Sequence, residues 1–547
     1  MGTTKQKLAD SLLNFGEKMK KLFIVFTILS AIPSLAQKPV SGGHLKPLQA
    51  IMDIRHYTIT LNVDPVQKSI RGNTEISLLL NQKTDTLLFD LQHLLKVEKV
   101  WVNNKLLPFY QENDYLYITS KKSFDNGHQT IKVLYSGKPQ VAKHPPWDGG
   151  FTWATDSLEN PWIAITDEGE GAKILFPCKD HPSDEPNEGA DLIITVPKGL
   201  SVAGPGLLVN QTISKHTTTF HWKTNYSINN YCILFNVGKY DVVTRNYTTI
   251  EGHQVPIQFY VLSYHVDKAS HHLDILEKSL HVQEKYFGEY PFTKEKIGIC
   301  ETPHLGMEHQ TMNAYGNHFK YQTVGGEDFD WLMHHELGHE WWGNKVTAKD
   351  WAHYWIQEGI CSFGDALYVY EAEGEDAYLK RMREISYGIQ NKLPIILGDE
   401  VIEEDAYQPD LYSKGAFFMH TLRYVLGDPL FFPTLKGFIS NPLYTYHNQV
   451  TTDDLEKYFS AAAHQDLKPL FDFYLRTTSK LAIEIHETND QKYVARFLNY
   501  EGVLPLDIQT DTGITRMMID AKGVSFTSKI MPIADPKGFY LKTVLYD

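Results

Sequence analysis

The hydrophobic pattern changes period twice along this chain, and that change limits what it can fold into more than any other feature. From about residue 45 to 262 apolar and polar side chains alternate, as in His56-Tyr-Thr-Ile-Thr-Leu-Asn-Val, in residues 74–80 and in residues 130–135. Turn clusters such as Asp125-Asn126-Gly127 and Pro197-Lys198-Gly199 punctuate the alternation. A period of two is the signature of half-buried strands. Around Val266 the period lengthens. Residues 271–287 repeat apolar positions at intervals of three and four, and helical segments recur to about residue 480. The tail, 481–547, returns to short alternating runs such as Ala482-Ile-Glu-Ile-His486 and Val524-Ser-Phe-Thr527. The pattern predicts a multidomain α+β protein with an all-β N-terminal domain (45–262), a mostly α domain (263–480) and a small β domain at the C-terminus (481–547). With 547 residues, 42% of them hydrophobic and 22% charged, the chain can bury cores of that size, which excludes disordered and fibrous classes.

The N-terminus carries a separate signal. Met19-Lys20-Lys21 precedes a mainly apolar, uncharged run, residues 22–32, and then Ser34 and Ala36. Positive start, short apolar stretch and small residues at the end make a secretory signal peptide, with cleavage expected after Ala36. Residues 1–18 precede the usual start of such a segment, which makes Met19 a candidate first residue. The run is too short to span a bilayer, which takes about 20 residues. Gln37 stands where a lipoprotein anchor needs Cys, so the mature chain is expected in the periplasm or outside the cell, without a stable membrane span. The net charge of −14 and the lack of any basic run argue against a nucleic-acid partner. The four cysteines are too few and too dispersed for a disulfide scaffold or a Cys-based zinc site.

The chemistry concentrates in residues 328–344, DFDWLMHHELGHEWWGN. His335 and His339 are four apart, so on a helix both imidazoles face the same way and can ligate one Zn²⁺, while Glu336 is turned towards water in the open coordination position. Gly325-Gly326-Glu327-Asp328 supplies a turn and an N-cap and Gly343-Asn344 a stop, predicting a helix of about 15 residues. Glu358 follows His339 after 18 intervening residues, within Trp355-Ile-Gln-Glu358-Gly. Two antiparallel helices joined by a loop over residues 345–350 would return Glu358 to face the histidine pair. Two His and one Glu are a known catalytic zinc set that leaves the fourth position to water.

HELGHEWWGN, the 18-residue gap and WIQEG together resemble the aminopeptidase N family of zinc metallopeptidases. Gly306-Met307-Glu308 is similar to that family's exopeptidase motif, which implies that Glu308 holds the substrate's free α-amino group. His309 departs from the Asn usual at the next position, which bears on the backbone support of that strand. Tyr412-Ser-Lys-Gly-Ala resembles the family's Y-x-K-G-A, implying that Tyr412 stabilises the oxyanion of the transition state. The stretch from Asp167-Glu168 to Cys178 resembles the segment that adds an acid or a Gln to the amine site, and counting back ten from Cys178 selects Glu168. Glu340 and Asn344 fall at variable family positions and are expected to support the site from behind. The resemblance implies a saddle-like N-terminal β domain, a thermolysin-like catalytic domain, one Zn²⁺ per chain, and hydrolysis of the first residue from peptides with a free N-terminus. Relatives usually end in a large helical domain, whereas the β tail here implies a more open site. An endopeptidase of the same zinc class leaves Gly306-Met307-Glu308 without a purpose. A lipid-epoxide hydrolase on the same scaffold and a non-catalytic binding homologue are the remaining alternatives.

Overall fold

The computed structural model describes residues 40–547, so the leader expected at residues 1–36 lies outside the described residues. The strand Met52–Asp64 runs through the middle of an eight-stranded sheet, antiparallel to Ser69–Leu80 on one side and parallel to Ala190–Pro197 on the other. Its alternation is interrupted once. Met52 and Ile54 are buried and then Tyr57, Ile59, Leu61 and Val63, because a bulge between Ile54 and His56 moves the buried phase by one residue. A three-stranded sheet built on Tyr115–Phe124 and a four-stranded one built on Pro161–Thr166 complete the first β region around a common apolar core.

The division expected after residue 262 falls inside a sheet. The strands Tyr240–Thr248 and Gln254–Leu262 form an antiparallel pair, and the second pairs in parallel with Ile297–Glu301, beyond the 22-residue helix Val266–Phe287. Asn313–Tyr315 and the short edge strand Gly306–Met307 finish this five-stranded sheet. Neighbouring residues on a strand point to opposite faces. Val255, Ile257, Phe259 and Val261 enter the core of the helical domain, whereas Tyr260 and Leu262, with Cys300 and Met312, enter that of the N-terminal domain. Local alternation marks 254–262 as a strand but carries no information about which core it serves.

The helix Trp331–Gly338 packs on this wall, Trp355–Glu373 packs on that helix, and Asp410–Leu426 packs on Trp355–Glu373 in turn. The tail is β, as its pattern predicts, with strands that include Leu481–Asn489, Lys492–Phe497 and Leu504–Thr510. It is not a free appendage. Leu481, Ile483 and Ile485 belong to the same buried cluster as the helices, Tyr424 stacks on Phe539 at 4.0 Å, and Thr421 Oγ1 donates to Phe539 O at 2.7 Å. No helix among the described residues is long and apolar enough to cross a membrane.

Candidate active site

Gly325 and Gly326, both at positive φ (61° and 81°), turn the hairpin between Gln322–Val324 and Glu327–Phe329 rather than cap a helix. The cap is Asp330, whose Oδ1 accepts from Met333 N at 3.2 Å and whose Oδ2 accepts from Tyr315 OH at 2.6 Å. The helix it opens has eight residues, Trp331–Gly338, about half the expected length. Past Gly338 the chain winds in tight turns, with Trp341 N and Trp342 N both donating to Gly338 O at 3.1 Å. Both tryptophans are fully buried, Trp341 edge-on to Tyr290 and Trp342 against Phe287 and Phe438. The turns let adjacent bulky rings enter different pockets. His339, at φ −67° and ψ −17°, keeps helical geometry, so its relation to His335 survives.

The three candidate ligands converge. Glu358 Oε2 stands 3.4 Å from His335 Nε2 and 3.5 Å from His339 Nε2, and the three donor atoms lie within 4.8 Å of one another. Each imidazole is oriented through its other nitrogen. His339 Nδ1 donates to Trp342 O at 2.9 Å, and His335 Nδ1 is bonded to Asp365 Oδ2 at 3.0 Å. A carbonyl only accepts, so Nδ1 of His339 carries the proton and Nε2 offers its lone pair to the common point. Burial opposes ionisation of Glu358, yet His339 and His335, which without a metal are held protonated, keep its carboxyl well below the usual range, a charge that a bound cation would replace. Glu358 Oε2 is nevertheless buried without a hydrogen-bond partner. An orphaned carboxylate oxygen facing two oriented imidazole lone pairs fits a tetrahedral divalent metal.

Glu336 lies beside this set. Its carboxylate, that of Glu308 and the His339 ring offer donor atoms within 4.8 Å of one another. Burial, followed by the charge of Glu308, pushes the Glu336 carboxyl up to about 8. Glu308 follows the edge strand Gly306–Met307, and its Oε1 accepts from Tyr231 OH at 2.8 Å. Its backbone carbonyl accepts from Asn344 Nδ2 at 2.9 Å, and Glu340 Oε1 accepts from Thr311 N at 2.9 Å. The support that sequence comparison leads one to seek at position 309 therefore comes from Asn344 and Glu340. His309 is buried with both ring nitrogens unpartnered, and burial pushes it down to about 3, so it is neutral. Gly306 is required by contact, since a β-carbon there would lie 2.8 Å from Leu332 Cδ1 and 2.9 Å from Glu336 Oε1.

Glu168 reaches the same space from the β domain, its Oε1 accepting from Tyr354 OH at 2.8 Å. Burial and then the charges of Glu308 and Glu358 raise its carboxyl well above the ordinary range. Gly306, Met307, Glu308, Glu168, the three ligands, Glu336 and Tyr412 all line one cavity of about 210 Å³. The Tyr412 ring stacks on His335 with centroids 6.1 Å apart, and its hydroxyl bonds to that of Tyr407, which donates to Glu358 Oε1 at 3.4 Å. The structure thus brings together every site residue selected from the sequence. Sequence reading missed Tyr407, Tyr231, Tyr354 and Asp365. For Asp365 a signal existed: it follows Glu358 by seven residues, two turns along the same helix face. The tyrosines, three among 31, carry none.

Comparison with known proteins agrees with this geometry. Residues 54–227 match the peptidase M1 N-terminal domain and residues 271–474 the peptidase family M1 domain. Endoplasmic reticulum aminopeptidase 1 of Rattus norvegicus is 22% identical over 441 residues, which cover 73% of this chain and 45% of the relative. Aminopeptidase N of Lactococcus lactis is 22% identical over 443 residues, 77% of this chain and 50% of the relative. The chain thus spans about half the length of these curated relatives. Among solved structures, an M1 zinc metallopeptidase from Deinococcus radiodurans has a TM-score of 0.64 at 20% identity and covers 80% of this chain and 96% of its own. A mutant of that enzyme bound to a Tyr-Ser-Ala substrate also has a TM-score of 0.64 at 20% identity, covering 78% of this chain and 94% of its own.

Proposed function

The chain belongs to peptidase family M1, and from that premise we propose that it is a zinc aminopeptidase that removes the first residue of peptides with a free N-terminus. The observation that carries this reading is the shared cavity, in which the carboxylates of Glu308 and Glu168 face the same space as His335, His339 and Glu358. An α-ammonium has a pKa near 8 and is mostly cationic at neutral pH, so Glu308 together with Glu168, whose raised carboxyl gives up its proton more readily once a cation joins it, selects a substrate that begins there. An endopeptidase has no use for them.

Zn²⁺ held by His335, His339 and Glu358 would supply Lewis acidity and lower the pKa of water towards about 7. The rest is the work of this chain's own residues. Glu336 Oε accepts the proton of the attacking water and delivers it to the departing amine nitrogen. The Tyr412 hydroxyl, positioned by Tyr407, turns its proton from Tyr407 to the oxygen that gains charge as the carbonyl becomes tetrahedral. Glu308, steadied by Tyr231 through its side chain and by Asn344 through its carbonyl, fixes the ammonium one residue from the scissile bond. The test is hydrolysis of leucine p-nitroanilide against its N-acetyl form by the zinc-loaded enzyme. Cleavage of the free amine alone is expected, and equal cleavage of both would overturn the reading. The reading extends to an exported enzyme on the strength of the leader pattern before Gln37, which N-terminal sequencing of the secreted chain checks.

A further inference from the structure

A second cavity of about 330 Å³ adjoins the first and shares three of its walls, Leu332, His335 and Tyr412. Glu308 and Glu168 line only the first. A peptide anchored by its amine at those carboxylates, with its first carbonyl at His335 and Tyr412, passes those shared walls with its remaining residues. The second cavity therefore lies within reach of the leaving group.

Its distinguishing side chain is Arg381, from the helix Glu375–Gly388. The guanidinium carbon lies over Trp331, 4.1 Å from the ring centroid. Its Nε is buried and has no hydrogen-bond partner. Its ion-pair partner is Glu384 at 3.6 Å, beyond hydrogen-bonding reach and itself half exposed. The acid in the cavity, Asp365, has its Oδ2 bonded to His335 Nδ1 and its Oδ1 buried without a partner, and no ion pair joins it to Arg381. Arg381 is thus a cation fixed by stacking, with donor capacity unspent, in a space bounded elsewhere by Leu332, Ile385 and the hydroxyls of Ser362 and Ser413. A planar guanidinium so held matches a carboxylate.

Resting on the aminopeptidase reading, we propose that the second cavity receives the leaving-group side of the substrate and that Arg381 binds a carboxylate carried there. That carboxylate is either the C-terminus of a short peptide or an acidic side chain after the scissile bond. The test measures kcat/KM of the zinc-loaded full chain for Leu-Ala-Ala against its C-terminal amide, and for Leu-Glu-amide against Leu-Gln-amide. The carboxylate member of one pair should be favoured about tenfold, the value for a charged hydrogen bond on a part-exposed guanidinium. A response in the first pair identifies the C-terminus and in the second the acidic side chain. Arg381→Gln should bring the ratio to near one and Arg381→Lys should keep part of it, since the amide and Gln peptides provide the internal reference for any loss of folding. A ratio near one in both pairs for the unmodified enzyme, or a ratio preserved in Arg381→Gln, overturns the proposal. Should none of the four peptides be cleaved, the aminopeptidase reading fails on its own account. Calorimetric binding of the same pairs then decides Arg381, equal affinities within each pair overturning it.

Discussion

Gly359 and Gly415 meet back to back: a β-carbon added to either would lie 2.8 Å from the α-carbon of the other. Each belongs to a motif that the sequence presents separately, one just after the ligand Glu358 and the other three residues beyond Tyr412. The closeness of two helices at this point sets the distance between a metal ligand and the hydroxyl that faces it across the cavity. Both glycines have ordinary helical surroundings, so it is the approach of the helices that requires them.

Gly415→Ala should separate these helices at the cost of overpacking, about 1–3 kcal/mol. Thermal unfolding reads the loss of stability. Activity measured well below the transition should fall further than stability alone explains, because Tyr412 moves with its helix. Full activity in a destabilised variant would detach Tyr412 from the reaction.

Glu336→Gln should retain metal, since Glu336 is outside the converging set, and lose about 10²–10⁴-fold in kcat, the range for a positioned general base. Elemental analysis with single-substrate kinetics checks both halves.

Asp365→Ala should weaken zinc binding about 10–100-fold by freeing the His335 ring, without removing a ligand. Competition with a chelator of known affinity measures this. Stripping the metal from the parent enzyme should likewise lower its unfolding temperature, as expected when a ligand binds only the folded form.

Glu308→Gln should reduce kcat/KM for unblocked peptides about 10–100-fold, as for loss of a charged hydrogen bond to the ammonium. A variant that loses the same factor on N-acetylated substrates would show a general defect instead of a lost amine contact.

Glu185 offers a pH test away from the metal. Burial pushes its carboxyl from an ordinary 4.5 up to about 8, so the folded chain favours the protonated form. The stability this provides is complete below about pH 4.5 and is lost as pH rises towards 8. Glu185→Gln, which keeps the shape without the charge, should therefore gain in unfolding temperature relative to the parent as pH goes from 5 to 8.5. A difference that does not change with pH would mean that Glu185 is ionised in the fold throughout.

What could be read in advance was what depends on local pattern or fixed spacing. Alternation in residues 56–63 marks a strand, and His335, His339 and Glu358 carry their chemistry in their intervals. The rest depends on pairings that periodicity does not encode. The motif helix stops at Gly338, where the chain turns and Trp341 and Trp342 enter separate packing, and the strand Gln254–Leu262 joins Ile297–Glu301 across a whole helix. Tyr407, Tyr231 and Tyr354 act through hydroxyls delivered from three different segments, and no tyrosine in isolation announces that. Arg381 is equally mute in sequence, since its stacking on Trp331 joins residues 50 apart.

The strand Gln254–Leu262 feeds Val255, Ile257, Phe259 and Val261 to one core and Tyr260 and Leu262 to the other. The two halves are therefore not modules that can be exchanged like beads. A fragment that starts after this strand would expose an apolar face of the remaining sheet, and with it the footing of the Gly306–Met307 edge, while one that ends there would present the same defect in mirror image. Recombination between distant relatives should succeed only where this strand and its partner Ile297–Glu301 are inherited together, so the smallest exchangeable unit is the strand with its partner.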